Sequence, residues 1–181
     1  MAKKKDTRSV TAKIRGVHEA FKTPTTKQWT RYVEKARNNK MSVGKRELLQ
    51  TTCVSHKADE IRLILNKSPA AIGPLTEGVE ELAGGDVESS ITEEGTVLSS
   101  VNGSEFKFAS PEIDVWESFQ DKIQVDGSRL FEELMNLLAS LCDDADDMRA
   151  AIAKSPGAAN VIFDDVSELA GTGVSVVVKK G

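Results

Sequence analysis

The chain has 181 residues, 39% of them apolar and only 5% aromatic, so a core must be built mainly from Leu, Ile, Val and Ala. That length suits one large domain or two small ones, and a unit of 85–90 residues would be marginally stable alone. Net charge is −4 but unevenly spread: residues 1–50 carry 14 Lys/Arg and 4 Asp/Glu (+10), and residues 51–181 carry 10 and 24 (−14). Such a gradient predicts a basic N-terminal surface that docks on something acidic: nucleic acid, another protein, or the acidic half of a neighbouring copy.

No run approaches the roughly 20 apolar residues of a membrane span, and no apolar stretch follows Met1 as in a signal peptide. Cys53 and Cys142 are the two cysteines, and His18 and His56 the two histidines. This set does not make an ordinary Cys/His zinc site within one chain. The expectation is a soluble intracellular protein with two reduced thiols.

In chain order, residues 1–9 read as a flexible basic tail. VTAKIRGVHEAFK then alternates about Arg15-Gly16 and predicts a short hairpin. Thr23-Pro24 follows as a cap and first helical residue, opening a helix that carries Trp29, Tyr32 and Val33. Helices are predicted next over 45–54 and 58–66. A fourth is bounded by Ser68-Pro69 and Gly84, with Leu75, Val79 and Leu82 at helical spacing. The acidic stretch at 85–96 reads as a linker.

Beyond it the pattern returns. TVLSSVNGSEFKF carries Asn102-Gly103, the stronger hairpin signal. Ser110-Pro111 opens a helix with Trp116 and Phe119, and helices over 128–142 and 144–153 follow. Ser155-Pro156 and Gly171 bound the last one, and VSVVV at 174–178 reads as a strand that pairs with a hairpin of one half. A shift of 87 positions superposes Gly16 on Gly103, Phe21 on Phe108, Trp29 on Trp116, Arg62 on Arg149 and Glu81-Leu82-Ala83-Gly84 on Glu168-Leu169-Ala170-Gly171. We read two tandem homologous repeats at 10–84 and 97–181, mainly α with small β elements (α+β), each a short hairpin plus about four helices.

The candidate chemistry is thin. No phosphate-binding glycine loop, nucleophile elbow or HExxH is present. Under the gapless shift Cys53 falls on Ser140 and Cys142 on Ser55, so neither repeat keeps the other's cysteine. Asp143-Asp144-Ala145-Asp146-Asp147 lacks the ligand spacing, glycine and distal glutamate of a calcium loop, and reads as an acidic helix start. We therefore expect no enzyme, no cofactor and no metal. Lys3-Lys4-Lys5, Arg8, Lys13 and Arg15 lack the interleaved aromatics of a nucleic-acid reader, so they read as a solvated basic surface, and neither nucleic acid nor a membrane is the expected partner. Trp29, Tyr32, Trp116 and Phe119 have two readings, as amphipathic core or as a protein-binding surface.

FKTPTTKQWTRY, ELLQTTCVSHKADEI and PLTEGVEELAGG in the first repeat resemble the tail assembly chaperones of long-tailed phages. So do FASPEIDVWESF, ELMNLLASLCDDADDM and VIFDDVSELAGT in the second. The family pattern is a hairpin, an F/Y-x-x-P-[T/S] start, a helix with W/Y positions, a "cv" segment and a closing "eLsG" or "eLaG". In the second repeat "cv" is reduced to LC, and the tandem arrangement departs from the single-copy pattern. The resemblance implies a non-enzymatic protein of the host cytoplasm, absent from the finished virion. Its implied partner is the tape-measure protein, bound before tail tube protein polymerises, and self-association is compatible with it. A frameshifted longer form is a further implication, for which Lys179-Lys180-Gly181 is the local hint. The alternatives are a structural tail or connector component of the virion, or a nucleic-acid-binding accessory protein that uses the basic half.

Overall fold

Phe21 and Phe108 illustrate how the chain is put together. Each lies in the last two residues of the second strand of a hairpin, is completely buried, and bridges to the cysteine that closes the second helix after it: Phe21 to Cys53, and Phe108 to Cys142. In the computed structural model, which describes residues 8–125 and 129–172, the first half runs β1 (Ser9–Ile14), β2 (Val17–Lys22), α1 (Thr26–Arg37), α2 (Met41–Thr52), α3 (Ala58–Lys67) and α4 (Ile72–Gly84). A strand β3 (Val87–Ile91) leads into β4 (Val97–Val101), β5 (Ser104–Phe108), α5 (Ile113–Val125), α6 (Leu130–Leu141), α7 (Ala145–Lys154) and α8 (Ala158–Leu169). The class is mainly α with small β elements. The strand expected at 174–178 and most of the basic tail lie outside the described residues.

The hairpins turn where the sequence says. Arg15 and Gly16 have φ of 52° and 89°, Asn102 and Gly103 of 51° and 80°. Two positive φ values in a two-residue loop match the right-handed twist of the strands. β1 pairs antiparallel with β2, placing Val10 opposite Phe21 and Ile14 opposite Val17. The second sheet has the order β3-β4-β5 and is antiparallel throughout.

Matching positions build the core of both halves. Phe21, Leu48, Leu49, Ile61, Leu65 and Val79 are buried in one, and Phe108, Leu137, Leu138, Met148, Ile152 and Val166 in the other. Fully burying each such side chain contributes roughly 1.5–3 kcal/mol. The two sets belong to one continuous cluster. Between the halves, Gly157 N–H donates to the Ala83 carbonyl at 2.9 Å and Arg37 Nη2 to the Ile123 carbonyl at 2.7 Å. Arg8 Nη2 lies 2.8 Å from Asp86 Oδ2.

The structure corrects several expectations. The 85–96 stretch is not simply a linker: β3 lies within it and completes the sheet of the second half, where Ser89 donates to Asp165 of α8 at 2.5 Å. Thr23 and Pro24 precede α1, and its cap is Thr25, whose N–H donates to Gln28 Oε1 at 2.8 Å in a reciprocal capping box. Ser68 and Ser155 cap nothing with their side chains. Pro69 instead opens one 3₁₀ turn (Pro69–Ala71) before α4, and the Ser155 hydroxyl accepts from Asn102 Nδ2 at 2.9 Å. In the first half it is Gly85, at φ 67°, and not Gly84 that takes up the positive φ where the chain leaves the helix.

The gapless alignment also breaks down locally. Helices α1 and α5 start 87 residues apart, as do α3 and α7, but α2 and α6 start 89 apart. α5 and the connection after it gain two residues, and the loop after Cys142 loses two relative to that after Cys53. Cys53 and Cys142 therefore occupy the same place, contrary to the sequence alignment. Burial pushes the Cys142 thiol up from its ordinary pKa, and the charges of Asp143 and Asp144 act the same way, so it stays protonated at neutral pH.

Candidate interhelical grooves

Two clefts lie at corresponding places, one between α1 and α2 and one between α5 and α6. The first, of about 510 Å³, is lined by Thr25, Lys27, Gln28, Arg31, Tyr32, Lys35, Gly44, Glu47, Leu48 and Thr51. The second, of about 380 Å³, is lined by Asp114, Val115, Ser118, Phe119, Lys122, Glu133, Asn136, Leu137 and Ser140. Once the two-residue shift of α6 is applied, all nine lining residues of the second groove match residues of the first. Lys27, Gln28, Arg31, Tyr32 and Lys35 match Asp114, Val115, Ser118, Phe119 and Lys122, and Gly44, Glu47, Leu48 and Thr51 match Glu133, Asn136, Leu137 and Ser140.

The floors are alike: an aromatic ring from the first helix beside a buried leucine from the second. Tyr32 with Leu48, and Phe119 with Leu137, are each at most 6% exposed. Helical spacing places Gln28, Arg31, Tyr32 and Lys35 on one face of α1. Gly44 lets α1 and α2 approach closely, since a side chain there would meet Lys35 Cβ at 3.1 Å. Gln28 Nε2 donates to the Thr51 carbonyl at 2.8 Å across the groove.

The rims differ. Lys27, Arg31 and Lys35 face only Glu47 in the first groove, and Lys35 Nζ lies 3.0 Å from its carboxylate. In the second, Asp114 and Glu133 outnumber Lys122, whose Nζ is 3.8 Å from Glu133. One groove is cationic and the other mildly acidic.

The chain matches no protein-family model, no curated protein and no solved structure. Of the four aromatics with two readings, Trp29, Tyr32 and Phe119 are buried, as core residues are, while Trp116 is half-buried. Trp116 and Phe119 pack with Phe163 of α8, with ring centroids 6.1 and 5.5 Å away. Tyr32 and Phe119 also floor the grooves, so a ligand seated there would touch them from above. Tyr32 donates its hydroxyl to Glu80 of α4, and burial with that carboxylate raises its pKa well above the ordinary tyrosine value. Asp144 caps α7 by accepting from Asp147 N–H at 3.3 Å, the helix-start role read from the aspartate run.

Sequence reading misses the grooves because a gapless alignment puts α2 and α6 out of phase by two residues. That error rotates one helix about 200° against the other and hides the matching floor. Among the described residues no helix is long and apolar enough to cross a membrane.

Proposed function

We propose that the chain is a non-enzymatic tail assembly chaperone of a long-tailed phage, acting in the host cytoplasm. It would hold the tape-measure protein before tail tube subunits polymerise around it. The observation that carries this reading is the pair of matched grooves between α1 and α2 and between α5 and α6. A cleft between two helices, with an aromatic and a leucine on its floor and charges on its rim, suits an amphipathic helical segment. Two such clefts on one chain raise the effective concentration for the second contact along an extended client. The motifs shared with tail assembly chaperones support the same assignment, and opposite rim charges suit acidic and basic stretches of a long helical client.

The test is co-expression with the tape-measure protein. The wild-type chain is expected to keep that protein soluble. Arg31→Glu combined with Ser118→Arg, both at exposed rim positions, is expected to return it to the insoluble fraction while leaving the chaperone folded. An insoluble fraction unchanged by the wild-type chain would refute the reading. Stoichiometric recovery of the chain in purified virions would replace it with a structural role.

A further inference from the structure

Each half is a control for the surface of the other, because a side chain that folding alone requires is expected at the matching position too. The groove between α2 and α3 fails that test. It has a volume of about 370 Å³, and two apolar side chains line it, Leu63 at 57% exposed and Val43 at 39%. The matching residues of the second half are Ala150 and Glu132, both exposed, so folding asks for neither leucine nor valine there. Single exposed leucines are ordinary on protein surfaces, whereas apolar side chains that share a groove bounded by charge mark interaction sites.

The polar lining differs as well. Arg46 is exposed where the second half has the buried Met135, and Gln50 and Asn66 stand where it has Ala139 and Ala153. In the second half Arg149 Nη2 donates to Asn136 Oδ1 at 3.1 Å and so ties α7 to α6. Its counterpart Arg62 lies 3.5 Å from Asp59 of its own helix, and both are exposed, so that pair holds it weakly. Arg46 Nε donates to the Ser42 carbonyl at 3.2 Å, and among the described residues no carboxylate pairs with it. Glu47, the one acidic residue of the lining, is already engaged by Lys35 at 3.0 Å. Two arginines thus flank the apolar pair with their charge largely uncompensated.

We propose that the α2–α3 groove of the first half is a further docking surface, which takes an acidic amphipathic helix of another protein. Apolar side chains of that helix lie on Leu63 and Val43, and its carboxylates meet Arg46 and Arg62. Gln50 and Asn66 supply amide donors on the same lining. The same two arginines repel a basic helix, so charge decides the class of partner. The surface shares only Glu47 with the α1–α2 groove, and it does not depend on the chaperone reading. With alanine, glutamate and a buried methionine at these places, the second half offers neither the apolar pair nor the uncompensated Arg46.

Methyl NMR of the purified full chain tests this, with two synthetic helical peptides as probes. One carries leucines at i and i+4 flanked by glutamates, and the other has lysine in place of every glutamate. The glutamate peptide is expected to shift the methyl signals of Val43 and Leu63. It is expected to bind about ten-fold more tightly than the lysine peptide, with an affinity that falls as salt rises. Val43→Glu combined with Leu63→Ala installs the second half's residues at exposed positions, so the chain should stay folded, as circular dichroism verifies. That variant is expected to weaken binding of the glutamate peptide about ten-fold. No binding, equal binding of the two peptides, indifference to the double variant, or shifts confined to Leu48 in the α1–α2 groove would overturn the proposal. So would self-association of the chain that the double variant abolishes, since a second copy would then be the occupant. Whether the wild-type chain keeps the tape-measure protein soluble is a separate measurement, so the two readings fail separately.

Discussion

Replacing Gly157 by alanine tests the packing of the two halves. Gly157 has φ −70° and ψ −20°, a helical conformation open to any residue, so the backbone itself does not object. The added Cβ does meet an obstacle. It would lie 2.9 Å from Ala83 C and 2.9 Å from Gly84 N, backbone atoms about 0.5 Å closer than the 3.4 Å at which contact becomes ordinary. Moving the end of α4 away by that amount stretches the 2.9 Å bond from Gly157 N–H to Ala83 beyond useful length.

Overpacking of this kind costs about 1–3 kcal/mol and a buried N–H left unpaired about 1–3 more. The lower entropy of unfolded alanine returns about 0.4–1 kcal/mol. We expect Gly157→Ala to destabilise by about 2–4 kcal/mol. Gly84→Ala in the last turn of α4, where a Cβ meets nothing within 4 Å, should instead stabilise by about 0.4–1 kcal/mol. Urea unfolding followed by tryptophan fluorescence and circular dichroism reads both from the shift in midpoint at constant slope. A Gly157→Ala chain within about 0.5 kcal/mol of wild type would mean that the close approach of α4 to residue 157 is not part of the fold.

Two further substitutions follow from polar groups in the first half. Glu19 is 1% exposed where the second half has Phe106; neither of its oxygens accepts a hydrogen bond, and the imidazole Nε2 of His56 lies 3.2 Å from Oε1. Glu19→Met should therefore raise stability by about 1–3 kcal/mol at neutral pH, whereas His56→Ala should lower it by stranding the carboxylate, both read by urea midpoint. Tyr32 has a pKa raised in the folded chain, so from about pH 10 upward the unfolded chain releases its phenolic proton first and stability falls with rising pH. Tyr32→Phe should cost about 1 kcal/mol at pH 7 and flatten that alkaline loss, and an unchanged alkaline slope in thermal melts would refute the assignment.

The elements legible in the sequence are those that local chemistry dictates. Apolar spacing places α3 and α7 within a residue or two of their ends, and Arg15-Gly16 and Asn102-Gly103 turn as read. The cap of α1 is also written in the sequence, as Thr25 three residues before Gln28, but the neighbouring Thr23-Pro24 offers a competing cap signal two residues earlier. What is not legible depends on partners distant in sequence. β3 has polar residues at its centre (Glu88, Ser89, Ser90) within an acidic stretch, and it is a strand because β4 and Asp165 receive it. Likewise Ser68 and Ser155 have the same local sequence, yet only Ser155 is buried, because the first half covers it.

The grooves separate what the two halves share from what they do not. Matching rings and leucines on the floor are also core residues, so their retention alone would say only that each half must fold. The rims are under no such constraint: Lys27 and Arg31 are exposed, and so are Asp114 and Ser118, which replace them. Aspartate in place of one cation and serine in place of the other change what each groove attracts without altering the packing beneath. On the proposed reading, the two grooves seat the same kind of apolar helix face while selecting segments of different charge. Exchanging the rim charges between the halves would then exchange the segments they hold.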